Sequence, residues 1–308
     1  VAFPELGLSA YSCDDLFHQK TLLDACERAL GEIVEASRTL PCALVVGMPL
    51  RVQHLLFNCA VVVAGGQLRG VVPKSFLPNY WEFYEARQFS AADCATVEQI
   101  DLLGQSVPFG AGLLFEIENI PLFRFHVEIC EDVWVPIPPS SFAALAGATV
   151  LVNLSASNIV IGKSGYRHQL VSQQSARCLA AYLYSSAGKG ESTTDLAWDG
   201  QALVYENGEL LAESERFADD SHMIFADVDL ERLSRERMHM TTFGDSVRRH
   251  AGEVAKFRTV GFVLGVDEDR NLPLQRRVER FPYVPADRRR RDERCNAVYQ
   301  IQVQALGQ

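Results

Sequence analysis

Three residues of complementary chemistry fall at predicted strand ends: Glu5, Lys74 and Cys130. The apolar, β-rich run LFRFHVEIC delivers Cys130 to the end of a strand. Glu131 and Asp132 follow at once, and Pro136, Pro138 and Pro139 then bar an immediate helix. A strand that turns sharply holds a side chain clear of its neighbours and leaves backbone N–H groups free for an oxyanion, so Cys130 is the candidate nucleophile. Most cysteines are only small apolar filler, and partners must distinguish this one. A carboxylate such as Glu5 can take the thiol's proton, and an ammonium such as Lys74 can stabilise both thiolate and oxyanion. Together the three residue types suit the cleavage of an amide.

The elements that must position them can be read from apolar spacing. VAFPE reads as the last turn of a strand presenting Glu5, with Pro4 tolerated because the ladder ends there. From Asp14 to Arg38, Leu16, Leu22, Leu23, Cys26, Leu30, Ile33 and Val34 recur at helical spacing. Ala43 to Leu50 is a short buried strand, and Asn58 to Lys74 holds two strands joined at Gly65-Gly66, a tight-hairpin signal that ends on Lys74. The aromatic-rich stretch Phe76 to Phe89, broken by Pro78, reads as a packed loop or lid.

Leu102 to Phe109 and Leu113 to Phe125 read as strand material, Phe142 to Gly147 as a short helix, and ATVLVNLSAS as a buried strand. Tyr166 to Ala180 is a helix and AYLYSSAG a further strand. WDGQALVYENGELLAES carries a hairpin at Asn207-Gly208. HMIFADVDL reads as one more strand before a helix from Leu230 to about His239. Strands, hairpins and covering helices in this order predict an α/β fold with two sheets, each backed by helices.

The chain has 308 residues, 48% hydrophobic and 22% charged, with a formal net charge of -10 and a pI near 5.2. That balance predicts a soluble globular protein, and the acidic field disfavours a nucleic-acid partner. No apolar run is long enough for a bilayer span and no signal sequence opens the chain, so no membrane partner is expected. The eight scattered cysteines, with no CxxC pair, read as reduced thiols in a cytoplasm, and no metal site is expected. GKGESTTD invites a phosphate-loop reading but lacks the glycine spacing and the Ser or Thr after Lys that such a loop requires. After about Asn271, three prolines and the basic run Arg288 to Arg291 mark a linker, or an arm that grips another subunit in a homo-oligomer. The expected division is therefore 1–271 and 272–308.

FPELGLSAY, GVVPKSFLPNYWEFYEARQF, HVEICEDVW and LVNLSAS resemble, in order, the catalytic blocks of the nitrilase superfamily. Within it, LVNLSASN, SARCLAAYLY, GESTTDLAWDGQ, LLAESERF and ERFPYVPAD are similar to the glutaminase domains of glutamine-dependent NAD synthetases. The resemblance implies a four-layer αββα sandwich, with Glu5 as base, Lys74 as oxyanion stabiliser and Cys130 as nucleophile. It also implies Glu85 as a supporting carboxylate, and Tyr11, Tyr80, Trp134, Ser157 and Lys163 around an L-glutamine substrate. Lys163 departs from the arginine common in such domains, exchanging a bidentate fork for a point charge.

The same resemblance implies a strand and helix before Val1 and a synthetase domain, the C-terminal partner, outside this sequence. No SGGxDS loop occurs here, so ATP and Mg2+ are expected only in that other domain and no cofactor in this one. Two other readings stand beside it: a free-standing nitrilase-type amidase or carbamoylase, which would not need the C-terminal arm, and a catalytically silent scaffold, which would not need the trio.

Overall fold

A computed structural model of the chain describes residues 1–192, 196–266, 273–276, 278, 284 and 287–307. It divides into two units, Val1–Asn271 and Leu272–Gln308. Most of the ERFPYVPAD block and the Thr-Thr-Asp of GKGESTTD lie outside the described residues.

In the first unit, helix α1 (Lys20–Ala36) precedes a three-stranded antiparallel sheet of β1 (Leu44–Val52), β2 (Leu55–Ala64) and β3 (Gln67–Pro73). The β2–β3 turn uses Gly65 and Gly66 at φ 59° and 76°, a left-handed pair that residues with a Cβ rarely adopt. Strands β4 (Gln99–Leu102) and β5 (Gln105–Pro108) form a separate hairpin. Next come β6 (Leu113–Ile117), β7 (Arg124–Ile129), α2 (Pro139–Leu145), β8 (Val150–Ser155), α3 (Lys163–Cys178) and β9 (Ala181–Ser186). Then follow β10 (Ala202–Glu206), β11 (Glu209–Glu213), α4 (Leu230–His239), α5 (Thr241–Arg249), α6 (Ala251–Val254) and β12 (Arg258–Phe262). These build a seven-stranded sheet in the order β11-β10-β9-β8-β7-β6-β12, in which β7, β8 and β9 run parallel.

Packing makes four layers. Val45, Ala60, Val62 and Val72 of the small sheet meet Phe115, Val127, Ile129, Val152 and Leu154 of the large one. The outer face of the small sheet packs on α1 through Cys26, Leu30 and Val34, and the outer face of the large sheet packs on Ala143, Ala144 and Val171 of α2 and α3. Alternation along each strand sends successive side chains to opposite faces, so both sheets are covered on both sides. The predicted α/β sandwich is therefore the observed one.

Four local expectations are corrected. His222 to Asp229 form no strand, although Met223 to Ala226 is an apolar run; Met223 and Phe225 are exposed. Conversely β12, which the sequence reading passed over, is the edge strand beside β6. Pro139 opens α2 rather than barring it, because the first helical position needs no N–H. Before β1, Ala2 makes only an isolated bridge to Val45, so Glu5 opens the turn at residues 5–9 and does not end a full strand.

In the second unit, α7 (Arg288–Leu306) is capped by Asp287, whose side chain accepts from the Arg290 amide, and holds the basic run Arg288 to Arg291 in its first turns. No helix among the described residues is long and apolar enough to cross a membrane. All eight cysteines are free.

Candidate active site

The site lies where the parallel strands β7 and β8 end, facing the end of β3 across the sandwich. Such carboxyl ends are where open α/β sheets present ligand-binding loops. Cys130 is the first residue past β7 and opens a short 3-10 turn, Cys130–Val133, with φ 43°. A left-handed backbone at a residue with a Cβ is strained and persists only where its surroundings fix it. Here Asp132 supplies the constraint. Its buried carboxylate accepts from the amide of Ile129 at 2.9 Å and from those of Ser75 and Phe76 at 3.2 and 2.8 Å. The elbow and the residues after Lys74 are thereby tied to one side chain. Burial and the nearby Glu128 push the Asp132 carboxyl up to about 8, with the backbone donors opposing.

Lys74 is fully buried, and its backbone N–H closes the β2–β3 ladder onto the Asn58 carbonyl at 2.8 Å. Its ammonium donates to Glu5 Oε1 at 2.7 Å and to Glu85 Oε1 and Oε2 at 2.7 and 2.9 Å. Burial alone would pull its pKa down; the two carboxylates and Cys130 more than offset this and hold it well above the ordinary lysine range. Glu5 is held from three sides. Oε1 also accepts from Asn58 Nδ2 at 2.7 Å, and Oε2 accepts from the Ala156 amide at 2.8 Å. Oε2, with one donor, keeps lone-pair capacity for a further proton.

Glu85 begins a short 3-10 turn in the aromatic-rich loop and also accepts from the Tyr11 hydroxyl at 2.8 Å. Burial pushes its carboxyl up to about 7, Lys74 opposing and Glu5 adding to the rise. Burial, then Glu5 and Glu85, raise the Cys130 thiol above its ordinary range, against Lys74. This differs from the sequence-based expectation of a thiolate poised by lysine. Two carboxylates already claim the ammonium, so the resting sulfur keeps its proton until a base removes it.

The remaining predicted residues divide. Tyr80 donates to Glu131 Oε1 at 2.8 Å at the rim. Lys163, at the start of α3, donates to Asn158 Oδ1 at 2.6 Å and lies 5.4 Å from the Trp134 ring centroid and 5.7 Å from that of Phe83. Burial lowers its pKa. Ser157 is buried, and its Oγ and carbonyl both accept from Arg167. A cleft lined by Tyr11, Ser12, Glu82, Phe83, Glu85 and Ser192 opens beside the cluster.

Sequence reading missed Asn58, Asp132, Arg167 and Glu191. Asn58 is the lone polar side chain in the run LFNCAVVVA, a visible anomaly in a buried strand. Glu191 accepts from the amides of Tyr11 and Ser12 and from the Ser12 hydroxyl, contacts 179 or 180 residues apart that no local pattern reveals.

The chain is similar to known proteins in both sequence and fold. Residues 1–237 match the carbon-nitrogen hydrolase family. A glutamine-dependent NAD(+) synthetase of Mycobacterium tuberculosis is 52% identical over 306 residues, covering 99% of this chain and 45% of that protein. The chain thus spans under half the length of this relative. The crystal structure of a glutamine-dependent NAD(+) synthetase from Cytophaga hutchinsonii superimposes with a TM-score of 0.60 at 28% identity, covering 70% of this chain and 34% of that one. A carbon-nitrogen hydrolase from Helicobacter pylori shares the fold, with a TM-score of 0.61 at 17% identity over 84% of this chain and 87% of its own. With a sandwich of the same kind and the family match over residues 1–237, the chain belongs to the carbon-nitrogen hydrolase family.

Proposed function

We infer that this chain hydrolyses L-glutamine to glutamate through a Cys130 thioester and supplies the ammonia to a synthetase domain outside it. That domain would use ATP and Mg2+ to amidate deamido-NAD. The observation carrying this reading is the buried ammonium of Lys74 bridging Glu5 and Glu85 beside Cys130 at its strained elbow. The name of the Mycobacterium tuberculosis relative supplies the substrate and the second half-reaction.

In the first step the Cys130 sulfur attacks the side-chain amide carbon while its proton passes to Glu5. Lys74 stabilises the charge that develops on oxygen in a water-poor site. The C–N bond then breaks, Glu5 returns the proton to the leaving nitrogen, and ammonia departs from the thioester. Water attacks the thioester with Glu5 again as base. Glutamate leaves and the sulfur regains its proton. At the rim, Lys163 suits the substrate's α-carboxylate and Glu131 its α-ammonium.

The test is Cys130→Ala in the full-length protein. Turnover with glutamine should vanish while turnover with added ammonia stays near the parent value, because only the first half-reaction needs the thiol. Equal loss of both would overturn the division of labour.

A further inference from the structure

We propose that Arg167, outside the Glu-Lys-Cys cluster, is the positioning residue that sets both the base Glu5 and the cation Lys163 by clamping the segment Ala156 to Asn158. The proposal rests on the glutaminase reading only for its turnover assay.

Arg167 lies one helical turn beyond Lys163 on α3 and is fully buried. Its guanidinium is a planar fork whose two ends do different jobs. One end, Nη1, donates to both oxygens of the buried Asp199 at 2.8 Å and to Gln201 Oε1 at 3.2 Å. The other, Nη2, donates to the carbonyls of Ser157 and Asn158 at 2.7 and 2.9 Å and to Ser157 Oγ at 3.3 Å. The segment after β8 is therefore pinned to the Asp199 loop through one rigid group.

Both neighbours of Ser157 hold active groups. The Ala156 amide donates to Glu5 Oε2 at 2.8 Å. Asn158 uses both ends of its side chain: Oδ1 accepts from Lys163 at 2.6 Å and Nδ2 donates to Glu82 at 2.7 Å. A shift of this segment would move the proton acceptor and the rim cation together. An interaction serving the core alone has no reason to grip two successive carbonyls between those contacts.

Two variants of the full-length protein separate positioning from mere support. Arg167→Lys keeps a charge for Asp199, but one ammonium cannot span the fork. Arg167→Gln combined with Asp199→Asn removes both charges at once, so neither is left buried alone. Both should keep the parent's circular dichroism. Displacements near 1 Å can cost about 10²-fold, so kcat with glutamine should fall on the order of 10-fold or more as Glu5 shifts. KM should rise several-fold as Lys163 shifts.

The rate at which iodoacetamide alkylates Cys130, read peptide by peptide by mass spectrometry, should slow alongside kcat and lose the parent's pH profile. That readout does not depend on which amide is the substrate. If the parent fails to hydrolyse glutamine while the variants slow alkylation, the glutaminase reading falls and the positioning role stands. Parent-like alkylation and turnover in either folded variant, or loss of the fold in both, would overturn the proposal in favour of a purely structural ion pair.

Discussion

Lys74 is the cation at the centre of the cluster, whereas an exposed lysine at a strand end would exchange for arginine at little cost. This one is buried, with three carboxylate oxygens within 2.9 Å of its nitrogen. Arginine's broader planar head cannot occupy that point, and alanine leaves two buried carboxylates unbalanced. Lys74→Arg and Lys74→Ala should each lower glutamine turnover on the order of 10²-fold or more, the usual cost of one lost oxyanion contact. Ammonia-dependent turnover of the full-length protein should persist. A Lys74→Arg enzyme within threefold of the parent would reduce the residue to a structural counter-charge for Glu5 and Glu85.

Glu85 makes a separate prediction, on stability against pH. Its carboxyl titrates near 4.5 in the unfolded chain and at about 7 when folded, chiefly because burial disfavours the charged form. Protonation therefore favours folding. The contribution is complete below about 4.5 and is lost as pH rises through about 7. Each pK unit corresponds to about 1.4 kcal/mol. The unfolding free energy of Glu85→Gln, measured in urea, should gain on the parent by more than about 1 kcal/mol between pH 5 and pH 8. A constant difference across that range would show an ordinary carboxylate.

At the scale of elements, the strands and hairpins that carry Lys74 and Cys130 were legible because they combine apolar runs with definite turn residues. The β2–β3 hairpin with its Gly65-Gly66 turn, and the β10–β11 hairpin at Asn207-Gly208, are where the pattern placed them. The failures have physical causes. His222 to Asp229 carry the apolar run Met223 to Ala226, yet Met223 and Phe225 are exposed and the segment forms no strand; β12 pairs at an edge, in parallel with a distant segment. Arg167 sits on a helix that reads as polar on one face, so the sequence cannot distinguish it from a solvated arginine.

Gly47 was equally silent. A Cβ there would lie 2.3 Å from the Leu6 amide nitrogen and 2.8 Å from the Pro4 carbonyl, so the loop bearing Glu5 crosses β1 at the one residue without a side chain. Gly47→Ala is expected to push that loop away. It should destabilise the fold by about 1–3 kcal/mol, in the range of overpacked cores. Glutamine turnover should fall on the order of 10²-fold, as for a base displaced by 1 Å. Thermal unfolding and turnover measured on the same preparation check both, and unchanged turnover would show that the loop has slack.

Across the whole molecule, the site belongs to no single sheet. Lys74 ends the three-stranded sheet, Cys130 and Ala156 follow neighbouring strands of the seven-stranded one, and Glu5 and Glu85 come from loops. The spacing of the two sheets therefore helps to set the distance between cation and nucleophile. At Gly70 a Cβ would lie 2.7 Å from the Phe115 ring, so the sheets approach closely on the strand that leads to Lys74. This is why Lys74 and Cys130 were readable as strand ends while the assembly of the trio was not: residue type and turn signals are local, and the layer contact is not.

The charge count in the buried cluster bears on how the enzyme lets go. When both Glu5 and Glu85 are ionised, Lys74 balances only one of them, leaving a net negative pocket beside the sulfur. In the proposed reaction, glutamine enters that end of the site with a neutral amide. Glutamate, formed in the proposed reaction, has a fresh carboxylate in the same place and meets repulsion that its precursor did not. Glutamate should therefore be a poor competitive inhibitor, with an inhibition constant well above the KM for glutamine. Inhibition should weaken further as pH rises through about 7 and Glu85 ionises, and Glu85→Gln should flatten that dependence. Initial-rate measurements with added glutamate at pH 6 and pH 8 would show whether the cluster that cleaves the amide also expels the acid.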